Sequence, residues 1–453
     1  MAKSLLSVGL DVGTTSTQMI LSRLTAENKA STFGVPKMEI TNREILYRSP
    51  VHFTPLAAHN LVDAAALRTL IQKEYDAAGI TREQVDTGAV IITGETSRKE
   101  NARAVLEQLS DLAGEFVVAT AGPDLESILA ARGAGADVRS AGKRVLHMDI
   151  GGGTSNLCLL EDGKILATGC LNVGGRLLKM DESGAITYLS PVLEGITQLR
   201  PGDRPGLAEL RQLADTLVSA LEMAAGLTAE TDVLRQLTTK ETGKAWKSPR
   251  DVILSFSGGV ADCIAKDFPL HAFGDFGPVL GKAIRESKLC RGAFFLGEET
   301  IRATVIGAGC HSVQLSGSTV YGQNIPFPIK NIPAAAGNNP ESAEDVRAIL
   351  AQVDEDRAFL CVPGFFSPTY EQVKGLAKVI AEGFGEKEVL VCLANDCAKA
   401  LGQCLRLLLP ADRPCLCLDG LSLEPGSYLD VGEPVGPAFA VVIKTFVLAG
   451  GNP

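Results

Sequence analysis

Residues 10–16, LDVGTTS, and residues 148–155, MDIGGGTS, carry the same groups in the same order: an aspartate between apolar residues, then glycine, threonine and serine. Those residue types suit polyphosphate chemistry. Glycines allow a tight turn whose amide N–H groups converge on an anion, the hydroxyls add donors, and an aspartate offers the hard oxygen that Mg2+ takes, usually with water between. Gly13, Thr14, Thr15 and Ser16 in one copy, and Gly151, Gly152, Gly153, Thr154 and Ser155 in the other, are therefore the candidate phosphate-binding residues. Asp11 and Asp149 are the candidate metal ligands. One such turn is common in ordinary hairpins. Two, each between apolar strand-like runs (SVGLDV and TQMILSRL; RVLHMDI and NLCLLED), describe a pair of hairpins able to grip a polyphosphate and its metal.

A third stretch follows in the right order. In VILSFSGGVADCI, residues 252–264, an apolar strand runs into Ser257, Gly258, Gly259 and Val260 and then into helical residues, which opens backbone surface at a strand end where nucleotides dock. These four are the candidate adenosine-binding residues. The chain has no Gly-x4-Gly-Lys-[ST] loop and no strand-led Gly-x-Gly-x-x-Gly, so the other common nucleotide signatures are missing.

The elements that must hold these turns read as a long α/β chain. With 453 residues and 45% hydrophobic content, it is large enough for several cores. Residues 1–140 read as the first α/β unit, with helices over 64–79 and 100–112 and strands at 89–94 and 115–119. Residues 141–314 read as the second, with a helix over 207–226. Residues 315–453 begin with an irregular Pro-, Gly- and Asn-rich connection over 321–342 and continue as a semi-independent α/β module. The net charge of -10 and the lack of a basic tract argue against nucleic acid, and no apolar run is long enough to span a bilayer. The start MAKSLLSVGLDV enters a strand without a signal-peptide core, so an intracellular protein is expected. The 11 cysteines sit mostly in apolar strands and helices, as reduced core thiols would, and lack zinc spacing.

With these motifs in this order, the sequence resembles the superfamily of actin, the sugar kinases and the heat-shock chaperone ATPases. The resemblance implies an actin-like, ribonuclease H-like two-domain ATPase fold with an additional C-terminal α/β region. It also implies two connecting helices, for which residues 123–136 and 299–312 are the candidates, their small residues allowing close crossing. Asp124 or Glu126, at the start of the first, would position the attacking water, although acids there also cap helices. GGGT and LNVGGRLLKMD resemble the chaperone branch, with Arg176 where an acid often stands and Asn156 where an aspartate is common.

The stretches TGETSRKENA (93–102), AGPDLESILA (121–130), VGGRLLKMD (173–181) and the ending LDGLSLEPGSYLDVGEPVGPAFAVVIKTFVL are similar to the ethanolamine ammonia-lyase reactivating factors, and they run along the whole chain. That resemblance implies a chaperone-like ATPase using ATP and Mg2+ to release damaged cobalamin from ethanolamine ammonia-lyase. Cobalamin would belong to the client: none of the 5 histidines lies in an Asp-x-His-x-x-Gly pattern. It further implies a cytoplasmic protein associated with the ethanolamine microcompartment, with a homodimer as an assembly to test. A metabolite kinase, a polyphosphate phosphatase and a non-enzymatic actin-like scaffold are the alternatives in the same superfamily. An iron-sulfur dehydratase activator is disfavoured because no dedicated cysteine site is visible.

Overall fold

The computed structural model describes residues 3–13, 16–29, 38–58, 61–93, 117–120, 123–239, 252–311, 313–317, 319–353, 357–421, 423, 427–435 and 438–445. Thr14, Thr15, the helix expected over 100–112 and all but Thr93 of TGETSRKENA lie outside the described residues.

Strands β1 (Lys3–Val12) and β2 (Ser16–Asn28) form the first expected hairpin. β3 (Met38–Arg48) continues antiparallel beyond β2, while β4 (Thr87–Ile92) and β5 (Val117–Thr120) run parallel on the other side, in the order β3-β2-β1-β4-β5. Val8, Leu10 and Val12 point to one face and bury against Leu67, Ile71 and Tyr75 of helix α1 (Ala64–Ala78). Asp63 caps α1 by accepting a hydrogen bond from Ala66 N at 2.9 Å, a contact typically worth about 1 kcal/mol. Strand alternation then puts Ser7, Gly9 and Asp11 on the opposite face.

After helix α2 (Pro123–Gly133) a second sheet repeats the order. β6 (Arg144–Ile150), β7 (Ser155–Glu161), β8 (Lys164–Leu171), β9 (Ile253–Ser257) and β10 (Phe294–Leu296) run β8-β7-β6-β9-β10, again one antiparallel hairpin with parallel neighbours. The duplicated order is that of the actin-like, ribonuclease H-like fold. Helices α3 (Leu207–Ala224), α4 (Gly259–Ala265) and α5 (Gly277–Glu286) share one apolar core with this sheet; α3 enters it through Leu210, Leu213, Leu217 and Leu221, the spacing of one helix face.

The connecting helices exchange partners. α2 follows the first sheet but packs on the second, where Ser127 Oγ donates to Gly169 O at 3.3 Å. Helix α6 (Ala303–His311) follows the second sheet but packs on the first, and there Ser7 Oγ donates to Gly309 O at 2.6 Å. Where the two helices cross, a Cβ on Gly133 would lie 1.8 Å from Ala303 O and one on Gly307 2.0 Å from Leu129 O. Only glycine permits that approach, so the small residues seen in the sequence do set the crossing.

An eight-stranded third sheet is built from β11 (Val313–Leu315), β12 (Tyr321–Gln323), β13 (Ile329–Ala336), β14 (Phe359–Val362), β15 (Val389–Leu393), β16 (Cys415–Leu418), β17 (Ser427–Val435) and β18 (Ala438–Thr445). β13 to β16 are parallel neighbours joined by helices α7 (Ala343–Leu350), α8 (Tyr370–Phe384) and α9 (Ala398–Leu408). Two strands, β12 and β13, occupy the segment expected to be irregular. Its prolines hid them: the β13 pairing with β17 shifts register between Ile329 and Ile332, Pro333 follows opposite Tyr428, and Ile329, Ile332 and Ala334 still reach the core. Val435, Ala438, Ala440 and Val442 pack with Leu5, Ile20, Leu24 and Val305, so this region shares a core with the first sheet instead of standing apart. All 11 cysteines are free thiols, and 10 are buried, as the sequence suggested. No described helix is long and apolar enough to cross a membrane.

Candidate active site

The first hairpin closes with Gly13 N donating to Ser16 O at 2.8 Å. A two-residue strand, His52–Phe53, pairs with Ser16 and Thr17, and Thr54 Oγ1 donates to Gly13 O at 2.7 Å from outside the turn. Asp11 is the last but one residue of β1, part-buried, and its Oδ1 accepts a hydrogen bond from Thr93 Oγ1 at 2.8 Å.

At the second hairpin Gly151 N donates to Thr154 O at 2.9 Å, and a strap over Val173–Arg176 holds the tip from behind. Gly175 N donates to Gly151 O at 3.0 Å and Arg176 N to Gly152 O at 2.6 Å. The strap lies so close that a Cβ on Gly174 would stand 2.4 Å from Gly152 O. Ser155 spends its hydroxyl on Val173 O at 2.7 Å, which makes it a support of the turn. Asp149 is buried, accepting from Ser257 at Oδ1 and from Thr304 Oγ1 at Oδ2, the latter at 3.4 Å.

The adenosine stretch docks directly on this hairpin. Ser257 pairs with Asp149 in register, and Gly258, at φ 85°, would place a Cβ 2.3 Å from Ile150 O. Gly259 faces open space, its nearest contact being Ile301 Cδ1 at 4.0 Å. Val260 is buried in the second core and cannot meet a ligand as a surface residue would.

Asp11 and Asp149, carried by different sheets, lie near enough for the charge of Asp149 to act on Asp11. Burial pushes the Asp11 carboxyl up to about 7, the Thr93 hydrogen bond opposes this, and the Asp149 charge raises it further. Burial likewise pushes Asp149 up to about 6 against its hydrogen bonds from Ser257 and Thr304. Two like charges in a poorly hydrated site are relieved by protons or by a cation. Asn156 stands beside Asp149 on β7, wholly buried, and its Oδ1 has no hydrogen-bond partner among the described residues. Two carboxylates with a spare carbonyl oxygen fit Mg2+, which keeps several waters and uses one or two carboxylates plus phosphate oxygens. Among the described residues no group of three or more His, Cys, Asp or Glu forms a closed metal cage.

Asp124 lies elsewhere: exposed at the start of α2, it accepts from Thr168 on β8, two strands away from the strand carrying Asp149. Glu126 is half-buried two residues further along that helix. The sequence places Thr93 in the strand expected over 89–94 and gives no link from it to Asp11. It missed Thr54, Thr304 and His147, the last wholly buried between two serines and pushed down to about 3 by that burial. Their only sequence signal was a polar residue inside an apolar strand (His147), inside an apolar helix (Thr304) or after a short strand (Thr54). Also unforeseen were ties between the halves: Arg48 with Glu299 at 2.8 Å, Gln18 Nε2 donating to Ile301 O at 3.2 Å, and Arg302 donating to Ser49 O at 3.0 Å.

Duplicated sheets with two glycine-tipped hairpins facing an acid pair define an α/β protein of the actin-like fold. The chain belongs to the family described as "Ethanolamine utilisation protein EutA", which matches residues 3–449. It is 37% identical to the ethanolamine ammonia-lyase reactivase EutA of Salmonella typhimurium (strain LT2) and 37% identical to that of Escherichia coli (strain K12), in each case over 98% of both chains. Among solved structures, the type II variant of the Aquifex aeolicus Ppx/GppA phosphatase matches with a TM-score of 0.41 at 12% identity, over 68% of this chain and 99% of that one. The ethanolamine utilization protein EutJ from Carboxydothermus hydrogenoformans matches with a TM-score of 0.32 at 16% identity, over 67% and 88%.

Proposed function

We propose that this chain reactivates ethanolamine ammonia-lyase, using ATP and Mg2+ to release damaged cobalamin so that intact cofactor can bind. One observation carries the client assignment above the others: similarity to relatives named as reactivases of that lyase spans 98% of both chains. The acids Asp11 and Asp149 support the nucleotide part.

In this reading the triphosphate lies between the hairpins. The amides of Gly13 and Gly151 close their turns, which leaves those of Gly152 and Gly153 for the phosphates, with Thr14, Thr15, Ser16 and Thr154 as hydroxyl donors, and the adenosine lies along Ser257, Gly258 and Gly259. Asp11 and Asp149 would hold Mg2+ through water. When bound, Mg2+ supplies positive charge that offsets the charge developing on the transferred phosphoryl group. The candidate for positioning the attacking water remains a carboxylate of α2, Asp124 or Glu126. Transfer of the γ-phosphoryl group to water removes the link between the two walls, and a client that prefers one cleft state is thereby driven by ATP.

Mixing the protein with inactivated, cobalamin-loaded lyase, ATP and Mg2+ should release cobalamin in proportion to ATP hydrolysed. Phosphorylation of a small alcohol without a client would replace this function with a kinase, phosphate release from polyphosphate without adenosine preference with a phosphatase, and nucleotide-dependent polymers without turnover with a scaffold.

A further inference from the structure

A line of hydrogen bonds crosses the second sheet behind its phosphate hairpin. His147, Ser255 and Ser257 are wholly buried, and the pairing of β6 with β9 sets Ser255 beside His147 and Ser257 beside Asp149. His147 Nδ1 lies 3.0 Å from Ser255 Oγ, and Nε2 lies 2.8 Å from Ser257 Oγ. Ser257 Oγ in turn donates to Asp149 Oδ1.

Counting hydrogens fixes the direction of every bond. A serine hydroxyl has one hydrogen, and an ionised carboxylate only accepts, so the Ser257 hydrogen goes to Asp149 and Ser257 Oγ accepts from His147 Nε2–H. Held among uncharged neighbours, the imidazole is neutral and carries no second hydrogen. Its bare Nδ1 therefore accepts from the Ser255 hydroxyl. Each member of the line is satisfied in this one arrangement, and a buried network of that kind holds its groups in a single orientation.

We propose that His147 is a positioning residue for Asp149: its Nε2–H fixes the Ser257 hydroxyl, which fixes the carboxylate on the metal side of the cleft. Ser257 also begins the adenosine stretch, and Gly258 is pressed on Ile150 O. The same bond thus ties the strand end facing the nucleoside to the acid facing the phosphates. This inference rests on the ATP and Mg2+ reading above.

Three substitutions in the full chain test it. In His147→Gln the side-chain amide reaches the place of Nε2–H; in His147→Asn it reaches only the place of Nδ1; His147→Leu has no donor. Binding of Mn2+ in the presence of ADP, followed by electron paramagnetic resonance, reads the metal side without needing turnover. Losing a group that orients a metal-side carboxylate costs about tenfold or more in metal affinity, so the Leu and Asn variants should need at least about tenfold more Mn2+ for half-saturation, with Gln within about threefold of wild type. A histidine that merely fills the core would rank the variants by melting temperature and leave half-saturation unchanged. Wild-type Mn2+ affinity in a folded Leu variant overturns the proposal; if Leu fails to fold, equal affinity in Asn and Gln does so. Should the wild-type protein itself bind no Mn2+ with ADP, the ATP and Mg2+ reading falls and takes this inference with it.

Discussion

At the first hairpin, Asp11 is part-buried, takes one hydroxyl from Thr93 on the neighbouring strand, and has its turn closed from outside by Thr54. At the second, Asp149 is buried between Ser257 and Thr304, a glycine strap holds the turn, and the adenosine stretch is seated on its last strand residue. Strand order and motif are the same in both; support is not. Among the described residues, the second wall is pre-organised by contacts that permit one geometry, whereas the first is held by fewer and more peripheral groups. Ligand-driven rearrangement is accordingly expected at the first wall, with the second acting as the fixed reference.

The largest test removes each acid. Asp11→Ala and Asp149→Ala should each lower ATP turnover by about a hundredfold or more, because each strips charge stabilisation from the transition state. Wild-type rates in either variant would end the equivalence of the two walls in metal binding.

A sharper contrast comes from the glycines of the adenosine stretch. Gly258→Val forces a side chain at φ 85° into Ile150 O and should cost on the order of 3 kcal/mol of stability, read as a lower melting temperature. Gly259→Val meets open space, so it should fold normally and weaken ATP affinity by blocking the close approach of base and backbone. Equal melting temperatures in the two would show that the second wall is not as fixed as its contacts imply.

Thr93→Val tests the weaker support of the first wall. Losing one hydrogen bond to a carboxylate is worth about 1.5–3 kcal/mol where nothing replaces it, so turnover should fall by about tenfold or more with folding preserved. The smallest effect is expected at the tie between the halves. Arg48 and Glu299 keep 43% and 26% of their side chains exposed, so Arg48→Ala should change stability by no more than about 1 kcal/mol. Its signature should instead be faster ADP release, measured by stopped flow, because the tie joins the two walls.

Local chemistry told the sequence reader where the turns are. Gly13 to Ser16 and Gly151 to Thr154 close within four residues, so their geometry is written in adjacent residue types, and the apolar runs beside them reveal strands. The small residues of the connecting helices were legible for the same reason, since a crossing that excludes Cβ demands glycine in the sequence itself. Tertiary structure alone decided which polar groups meet. Thr93 reaches Asp11 across 82 residues and Ser257 reaches Asp149 across 108, and neither separation leaves a periodic trace. The same holds for β13, which the prolines in and before it made read as a loop until its buried isoleucines found partners in β14 and β17. Spacing fixes what a turn can bind, because turn hydrogen bonds span a few residues; burial, register and the facing of two acids depend on the sum of distant packing, which no short stretch contains.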